Sequence, residues 1–479
     1  MKAFASLAAW HAVYSRAGGS VTRCTRPRRA LFAALAFALF CPRHASAQGY
    51  GLYEQSTCMM GRAGAGVAAP CDDGSSMFFN PAGLAGEKAV VVSAGVAGIA
   101  PRGTFTNSTT ARVSTLNSDT FPAPTVYAAA PVGGGVVVGV GVFAPYGLTT
   151  DWPTTSEGRF LSYKSSVKSI YVQPTIAVRL GQAMIGGGVD ITHTSLELRR
   201  RVDLSSQPIT GTPLTFAALG VPPGTDFADV DLTGSGTHVG GHVGVLFNAS
   251  DRVSVGGRYL FHQRVAFDSA SFGATQISTG LALPVPLGPT LPAGTPIDRL
   301  VAGSFAAGGP LSSQTASTSL PLPDQVVLGV AARPTDRLRL MIDYQYTHWS
   351  MFDQIAITTQ FAPASVTIEN FNDTHGVRVG ADYRLAGGMM LRAGVDAHTA
   401  AAPDQSVTPL LPEAGRWEAA AGLGVPFSGH LRLDLGYMYV HQQDRNGRTV
   451  DSPAPTVALN NGLFHYYANL FSAGLVVHF

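Results

Sequence analysis

The sequence predicts an all-β chain, a transmembrane β-barrel of about fourteen antiparallel strands. Three observations carry this expectation. The N-terminus reads as a secretory signal, and nothing after it is long and apolar enough for a membrane helix. Most of the remaining chain alternates apolar and polar residues with period two, the signature of half-buried strands. Finally, tight turns and long loops follow one another in strict succession, as in outer-membrane barrels.

The signal is read first. Arg23, Arg26, Arg28 and Arg29 precede an apolar run from Ala30 to Phe40, and "HASAQ" follows with Ala45 and Ala47 at the small-residue positions of a cleavage site. Residues 1–47 are therefore expected to be removed, because eleven apolar residues fall short of the roughly 20 that a spanning helix needs. Their loss takes seven basic residues and no acid, so a formal charge of +2 becomes −5. No basic patch suggests nucleic acid. Only 13% of residues are charged, against about 25% in an ordinary soluble domain.

The strands come next. In "HLRLDLGYMYV", Leu431, Leu433, Leu435, Tyr437 and Tyr439 oppose Arg432, Asp434 and Gly436. In "RLRLMIDYQYTHW", Leu338, Leu340, Ile342, Tyr344 and Tyr346 oppose Arg339, Asp343 and Gln345. "RVSVGGRYLF" and "GVRVGADYRL" repeat the pattern. A soluble sandwich also alternates, but here the apolar faces end in aromatic residues, as a membrane-interface girdle does. Strand starts fall near residues 88, 123, 134, 165, 183, 237, 251, 320, 336, 373, 388, 415, 430 and 463. Every second strand ends in a tight turn: "PVGGG", "RLGQ", "NASDR", "RPTDR", "RLAGG" and "PFSGH". The last strand, "HYYANLFSAGLVVHF", places Tyr467, Phe471, Leu475, Val477 and Phe479 on one face and ends in the aromatic residue that outer-membrane assembly machinery usually reads. Closure is required, since an open sheet edge in lipid leaves backbone groups unpaired. Charge on the lipid face costs roughly 2–4 kcal/mol at mid-bilayer for Arg or Lys. Arg258, Arg339, Asp343, Arg378, Asp382, Arg392, Asp396, Arg432 and Asp434 are therefore expected to face the lumen, as ion-pair ladders.

The segment "GYGLYEQSTCMMGRAGAGVAAPCDDGSSMFFNPAGLAG", Gly49 to Gly86, resembles the N-terminal hatch of the FadL family, with its Gly61–Gly64 run, its Asp72-Asp73 pair and its Asn80-Pro81-Ala82 motif. These are outer-membrane transporters of long-chain fatty acids, with TodX-like relatives for toluene and other hydrocarbons. "VGVGVFAPYGL", "DTHGVRVGADYR" and "LRLDLGYMYVHQQD" are similar to the same family. The resemblance implies a division into a signal (1–47), a hatch inside the lumen (48–86) and a barrel (87–479). It also implies passive uptake: a hydrophobic ligand is captured at extracellular loops, passes into the barrel and leaves sideways beside a kinked third strand. The hatch is expected to pack near that kink through Asn80, Pro81 and Ala82, with Met77, Phe78 and Phe79 near the ligand path.

Particular residues are then candidates. Pro145, near the end of the third strand, and Pro174, inside the fourth, cannot donate to a ladder; with Gly147 they mark a lateral opening between those strands, or else two ordinary bulges. The loops around "PITGTPLTFAALGVPPG" and "STGLALPVPLGPTLPAGTP" are apolar enough to capture ligand, or to pack on each other. Arg159 is a candidate for a carboxylate headgroup, because Arg forks match carboxylates, or it is a loop anchor; Lys164 and Lys168 are further cations of that kind. Cys58 and Cys71, in an oxidising compartment, form a disulfide that stiffens the hatch, or remain as thiols. "GVGVFA" matches a dinucleotide fingerprint, but no helix follows. His238 and His242 share a strand face without a third metal ligand. No cofactor or metal is called for. The expected surroundings are outer-membrane lipid, lipopolysaccharide and, during biogenesis, the barrel-assembly machinery of a Gram-negative cell. The rival readings are a general porin for polar solutes, an outer-membrane enzyme and an adhesin.

Overall fold

The computed structural model describes residues 49–209, 212–447 and 461–479, so the expected signal peptide lies outside the described residues. The chain forms a closed 14-stranded antiparallel barrel. Its strands are β1 (Val91–Asn107), β2 (Phe121–Gly133), β3 (Val136–Asp151), β4 (Lys164–Leu180), β5 (Ala183–Asp203) and β6 (Asp226–Ser250). Two broken strands follow: β7 in segments Val253–Leu260 and Gln263–Gln276, and β8 in segments Gln314–Leu322 and Gln325–Ala332. The circuit finishes with β9 (Leu338–Thr347), β10 (Thr374–Arg384), β11 (Met390–His398), β12 (Arg416–Pro426), β13 (Leu431–Asn446) and β14 (Gly462–His478). β14 pairs with β1 from Val91↔His478 to Asn107↔Gly462, which leaves no edge.

The fold class read from the sequence is the one observed, and most strand starts agree within a few residues. Two differ. β6 begins at Asp226 rather than near 237, and β8 at Gln314 rather than near 320. Both extensions rise beyond the membrane band, where an outward residue is no longer required to be apolar and the alternation fades. The long loops are correspondingly shorter.

Outward positions are apolar at mid-membrane: Val92 and Val96 on β1, Ile185 and Val189 on β5, Leu340 and Ile342 on β9, Phe471 and Leu475 on β14. Aromatic rings such as Trp417, Tyr439 and Tyr467 sit above them in mutual contact. The nine charged residues expected in the lumen point inward. Arg392 pairs with Asp434 at 2.8 Å, Arg432 with Asp434 at 3.0 Å, and Arg378 with Asp396 at 3.5 Å.

Inside lies the segment from Gly49 to Gly86, most of it buried. It contains two single-turn helices, α1 (Thr57–Met60) and α2 (Ser76–Phe79), and a 3₁₀ turn from Pro81 to Gly86. A disulfide joins Cys58 to Cys71. The luminal charges hold this plug as well as each other. Asp382 takes Arg62 at 2.8 Å, Asp343 accepts the N–H groups of Gly66 and Val67 at 2.6 and 2.9 Å, and Arg258 donates to the Phe78 carbonyl at 2.7 Å. Asp72 meets Arg432 at 2.7 Å, whereas Asp73 binds Ser56 and Ser75 of the plug itself. Glycines make this close docking possible. A side chain at Gly186 or Gly244 would strike Pro81 or Asn80, and one at Gly394 would strike the backbone of Arg62.

Candidate functional site

The wall is interrupted beside β3. Pairing between β2 and β3 runs from Gly133↔Val136 up to Val126↔Val142 and stops there. Just beyond, β2 carries Pro122 and Pro124, which have no N–H to give to a ladder. On its other side β3 stays paired with β4, with a bulge between Phe143 and Tyr146 that contains Pro145. The open seam is thus between the second and third strands, not between the third and fourth as Pro145 and Pro174 suggest. Pro174 instead faces outward where the β4–β5 ladder skips Gln173 and Pro174.

The plug supplies what β2 withholds. Leu52 donates its N–H to the Pro145 carbonyl at 2.8 Å, and Gly147 donates to the Tyr50 carbonyl at 2.9 Å. The Gln55 side chain clamps Ala144 from both sides, donating to its carbonyl at 2.9 Å and accepting from its N–H at 3.0 Å. Gly147 is required by this approach: a Cβ there would lie 2.9 Å from Leu52. The hatch therefore meets the kink through Tyr50, Leu52 and Gln55. Asn80 and Pro81 rest elsewhere, on β5 and β6. The Asn80 amide donates to the carbonyls of Val67 and Val245 at 2.7 and 2.9 Å and accepts from Ala82 N–H at 3.1 Å.

Behind the seam is a cavity of about 400 Å³. Ile99, Phe121, Ala123, Val142, Leu52 and Leu470 make it largely apolar. Gly147 also lines it, whereas Met77, Phe78, Phe79 and the Asn-Pro-Ala motif do not. Those three apolar side chains are at most 1% exposed; Phe78 packs on Tyr53, Phe79 and Phe143, so they form the plug's core. Tyr50 divides this cavity from a narrower apolar cleft of about 50 Å³ on the extracellular side, which Leu196, Leu320, Phe352 and Ile357 line. Tyr50 is fixed by its hydroxyl on the Pro321 carbonyl and by Trp349, 4.6 Å between ring centroids.

The polar groups of the cavity are few. Glu413 accepts the N–H groups of Ala401, Ala402 and Gly49, and burial still raises its carboxyl above the usual range. Arg416 is paired with Glu418 at 2.9 Å. Lys168 stands exposed on β4 opposite Gly147, without an ion pair among the described residues. The other proposed headgroup cations do not reach the cavity. Arg159 binds Asp226 at 2.8 Å and the carbonyls of Ser156 and Gly224, which makes it a loop anchor; Lys164 pairs with Glu197 at 3.0 Å. The apolar extracellular loops bury much of their surface in one another: Leu204, Ile209, Phe216 and Val221 pack with Leu283 and Ile297. His242 is held by Asp190 at 2.7 Å and Thr175 at 3.0 Å as part of the wall.

A closed barrel with an apolar outer face, a buried plug and a side seam is the architecture of a plugged outer-membrane transport barrel. The chain matches the family of outer membrane protein transport proteins (OMPP1/FadL/TodX) over residues 38–479, and it belongs to that family. It is 23% identical over 414 residues to the long-chain fatty acid transport protein of Escherichia coli (strain K12), across 82% of this chain and 88% of that one. The crystal structure of a Pseudomonas aeruginosa FadL homologue shares the fold with a TM-score of 0.74 at 18% identity, covering 90% of this chain and 100% of that one. That of the toluene transporter TodX of P. putida gives 0.63 at 14% identity, with 91% and 99% covered.

Proposed function

We propose that this protein takes up hydrophobic small molecules, long-chain fatty acids or aromatic and aliphatic hydrocarbons, passively across the outer membrane. Ligand enters the extracellular cleft, passes Tyr50 into the larger cavity and leaves sideways between β2 and β3. The observation that carries this reading is the unpaired seam with an apolar cavity directly behind it. Burial contributes roughly 0.8 kcal/mol per CH₂, so an apolar cavity binds such ligands without charged contacts. Pro145 and Gly147 shape the seam. The hatch residues from Met77 to Ala82 anchor the plug while its N-terminal strand moves. Lys168, rather than Arg159 or Lys164, meets any carboxylate headgroup. Outer-membrane lipid and lipopolysaccharide face the outward band, and the assembly machinery reads the last strand together with Phe479, which follows it.

The test blocks the seam. Ala123→Arg places a long cation where β2 faces the cavity. Uptake of oleate and toluene by cells that rely on this protein should fall severalfold, while the heat-modifiable folded form on gels stays at its normal amount. Unchanged uptake by a folded variant refutes lateral exit. Rapid entry of small sugars into liposomes carrying the wild-type protein would instead favour a general porin.

A further inference from the structure

The periplasmic end holds a second cavity, of about 630 Å³. Its walls are the turns joining β8 to β9, β10 to β11 and β12 to β13, and its floor is the plug around the Cys58–Cys71 disulfide. Seven arginines and two histidines line it, against four carboxylates. Those carboxylates do not neutralise it. Asp382 is shared by Arg62 and, at 4.0 Å, by Arg339; Asp336 pairs with Arg252, outside the cavity. Burial and the neighbouring Asp72 and Asp73 push the Glu87 carboxyl up to about 8, so it carries little charge at neutral pH.

Two further observations mark the cavity as a place for a ligand. Arg337 and Arg384, on facing turns, make no side-chain hydrogen bond or ion pair among the described residues. Deeper in, Asp434 takes one nitrogen each of Arg392 and Arg432, whose side chains are 4% and 17% exposed, yet the buried Nε of Arg392 and the buried Nη2 of Arg432 keep no partner. Donors removed from water and left unmade are costly, and a guanidinium fork matches the paired oxygens of a carboxylate or phosphate. Low-dielectric walls around one sign of charge concentrate anions further.

We propose that this vestibule binds a small molecule bearing carboxylate or phosphate groups, between Arg337 and Arg384 at its rim and Arg392 and Arg432 at its floor. Arg432 also ties the plug through Asp72, whose own side chain is 66% exposed. The bound anion competes with Asp72 for this guanidinium, so occupancy on the periplasmic side loosens one anchor of the plug.

The test uses the full-length protein purified in detergent and titrated calorimetrically with inorganic pyrophosphate and with citrate, at constant ionic strength set by chloride. Saturable binding of either in the millimolar range or below is expected; pyrophosphate alone points to phosphate ligands, citrate alone to carboxylates. Arg337→Gln with Arg384→Gln should weaken it at least tenfold. Asp72→Asn, which frees Arg432, should tighten it. Absence of saturable heat with both probes overturns the proposal, as does an affinity that neither the rim pair nor Asp72→Asn changes.

Discussion

The backbone N–H of Leu52 meets the carbonyl of Pro145 at 2.8 Å, and through this contact the plug becomes a partner strand for the half of β3 that β2 does not pair with. Gln55 secures the same place with two hydrogen bonds to Ala144. Each bond is worth about 0.5–1.5 kcal/mol net. Gln55→Ala should therefore free the plug's N-terminal strand while the barrel remains closed. Single-channel recordings in planar bilayers should show more frequent openings than wild type.

Asn80→Ala removes the side-chain donor from the buried Val67 carbonyl, at roughly 1–3 kcal/mol, and a second hydrogen bond to the part-buried Val245 carbonyl. The loss falls on the plug and on its contact with β6, not on barrel closure. Hydrogen exchange should accelerate across residues 66–85 and stay unchanged in β10–β14. Uniform acceleration would show that plug and wall unfold as one unit.

Lys168→Gln separates two ligand classes. With Arg416 already paired to Glu418, Lys168 is, among the described residues that line the cavity, the cation left at the seam for a carboxylate. Fatty acid uptake should drop severalfold in the variant, with toluene uptake unaffected. An equal effect on both would remove Lys168 from headgroup recognition.

Cys58→Ser with Cys71→Ser opens a loop of sequence separation 13, and a loop of this size is worth roughly 3 kcal/mol of chain entropy. The effect should be local. Limited proteolysis should cut within residues 58–73 in the variant and not in oxidised wild type, with the barrel's melting temperature unchanged.

Glu87 gives a pH dependence of known sign. Burial first, then Asp72 and Asp73, raise its carboxyl from 4.5 to about 8, with Arg432 opposing. Between these values the folded protein holds a proton that the unfolded chain has released. Stability therefore falls as pH rises through this window, and the effect is absent below 4.5. Glu87→Gln should flatten this decline in urea-unfolding midpoints and leave the acid end unchanged.

The barrel was legible because lipid imposes one requirement on every strand. Leu435, Tyr437 and Phe471 must be apolar, Asp434 and Arg432 must turn inward, and the parity shows in the sequence. The plug was legible only through resemblance, since nothing periodic marks Gly49 to Gly86. Pro145 and Pro174 point one strand away from the seam, whereas "FPAP", Phe121 to Pro124, carries the stronger signal: two prolines two apart, on the strand that fails to pair. The plug's grip on β3 was hidden in Gln55, an ordinary residue until its partner 89 positions away is known. Inward glycines at Gly186, Gly244 and Gly394 were a readable clue, since a strand that drops its side chains on one face only is making room for something.

Ser93 on β1 donates its hydroxyl to the Asp73 carbonyl, and Arg432 on β13 pairs with Asp72, the neighbour of Asp73 in sequence. β14 lies between those two strands. Two adjacent residues of the plug thus staple together the strands that flank the closing strand of the barrel.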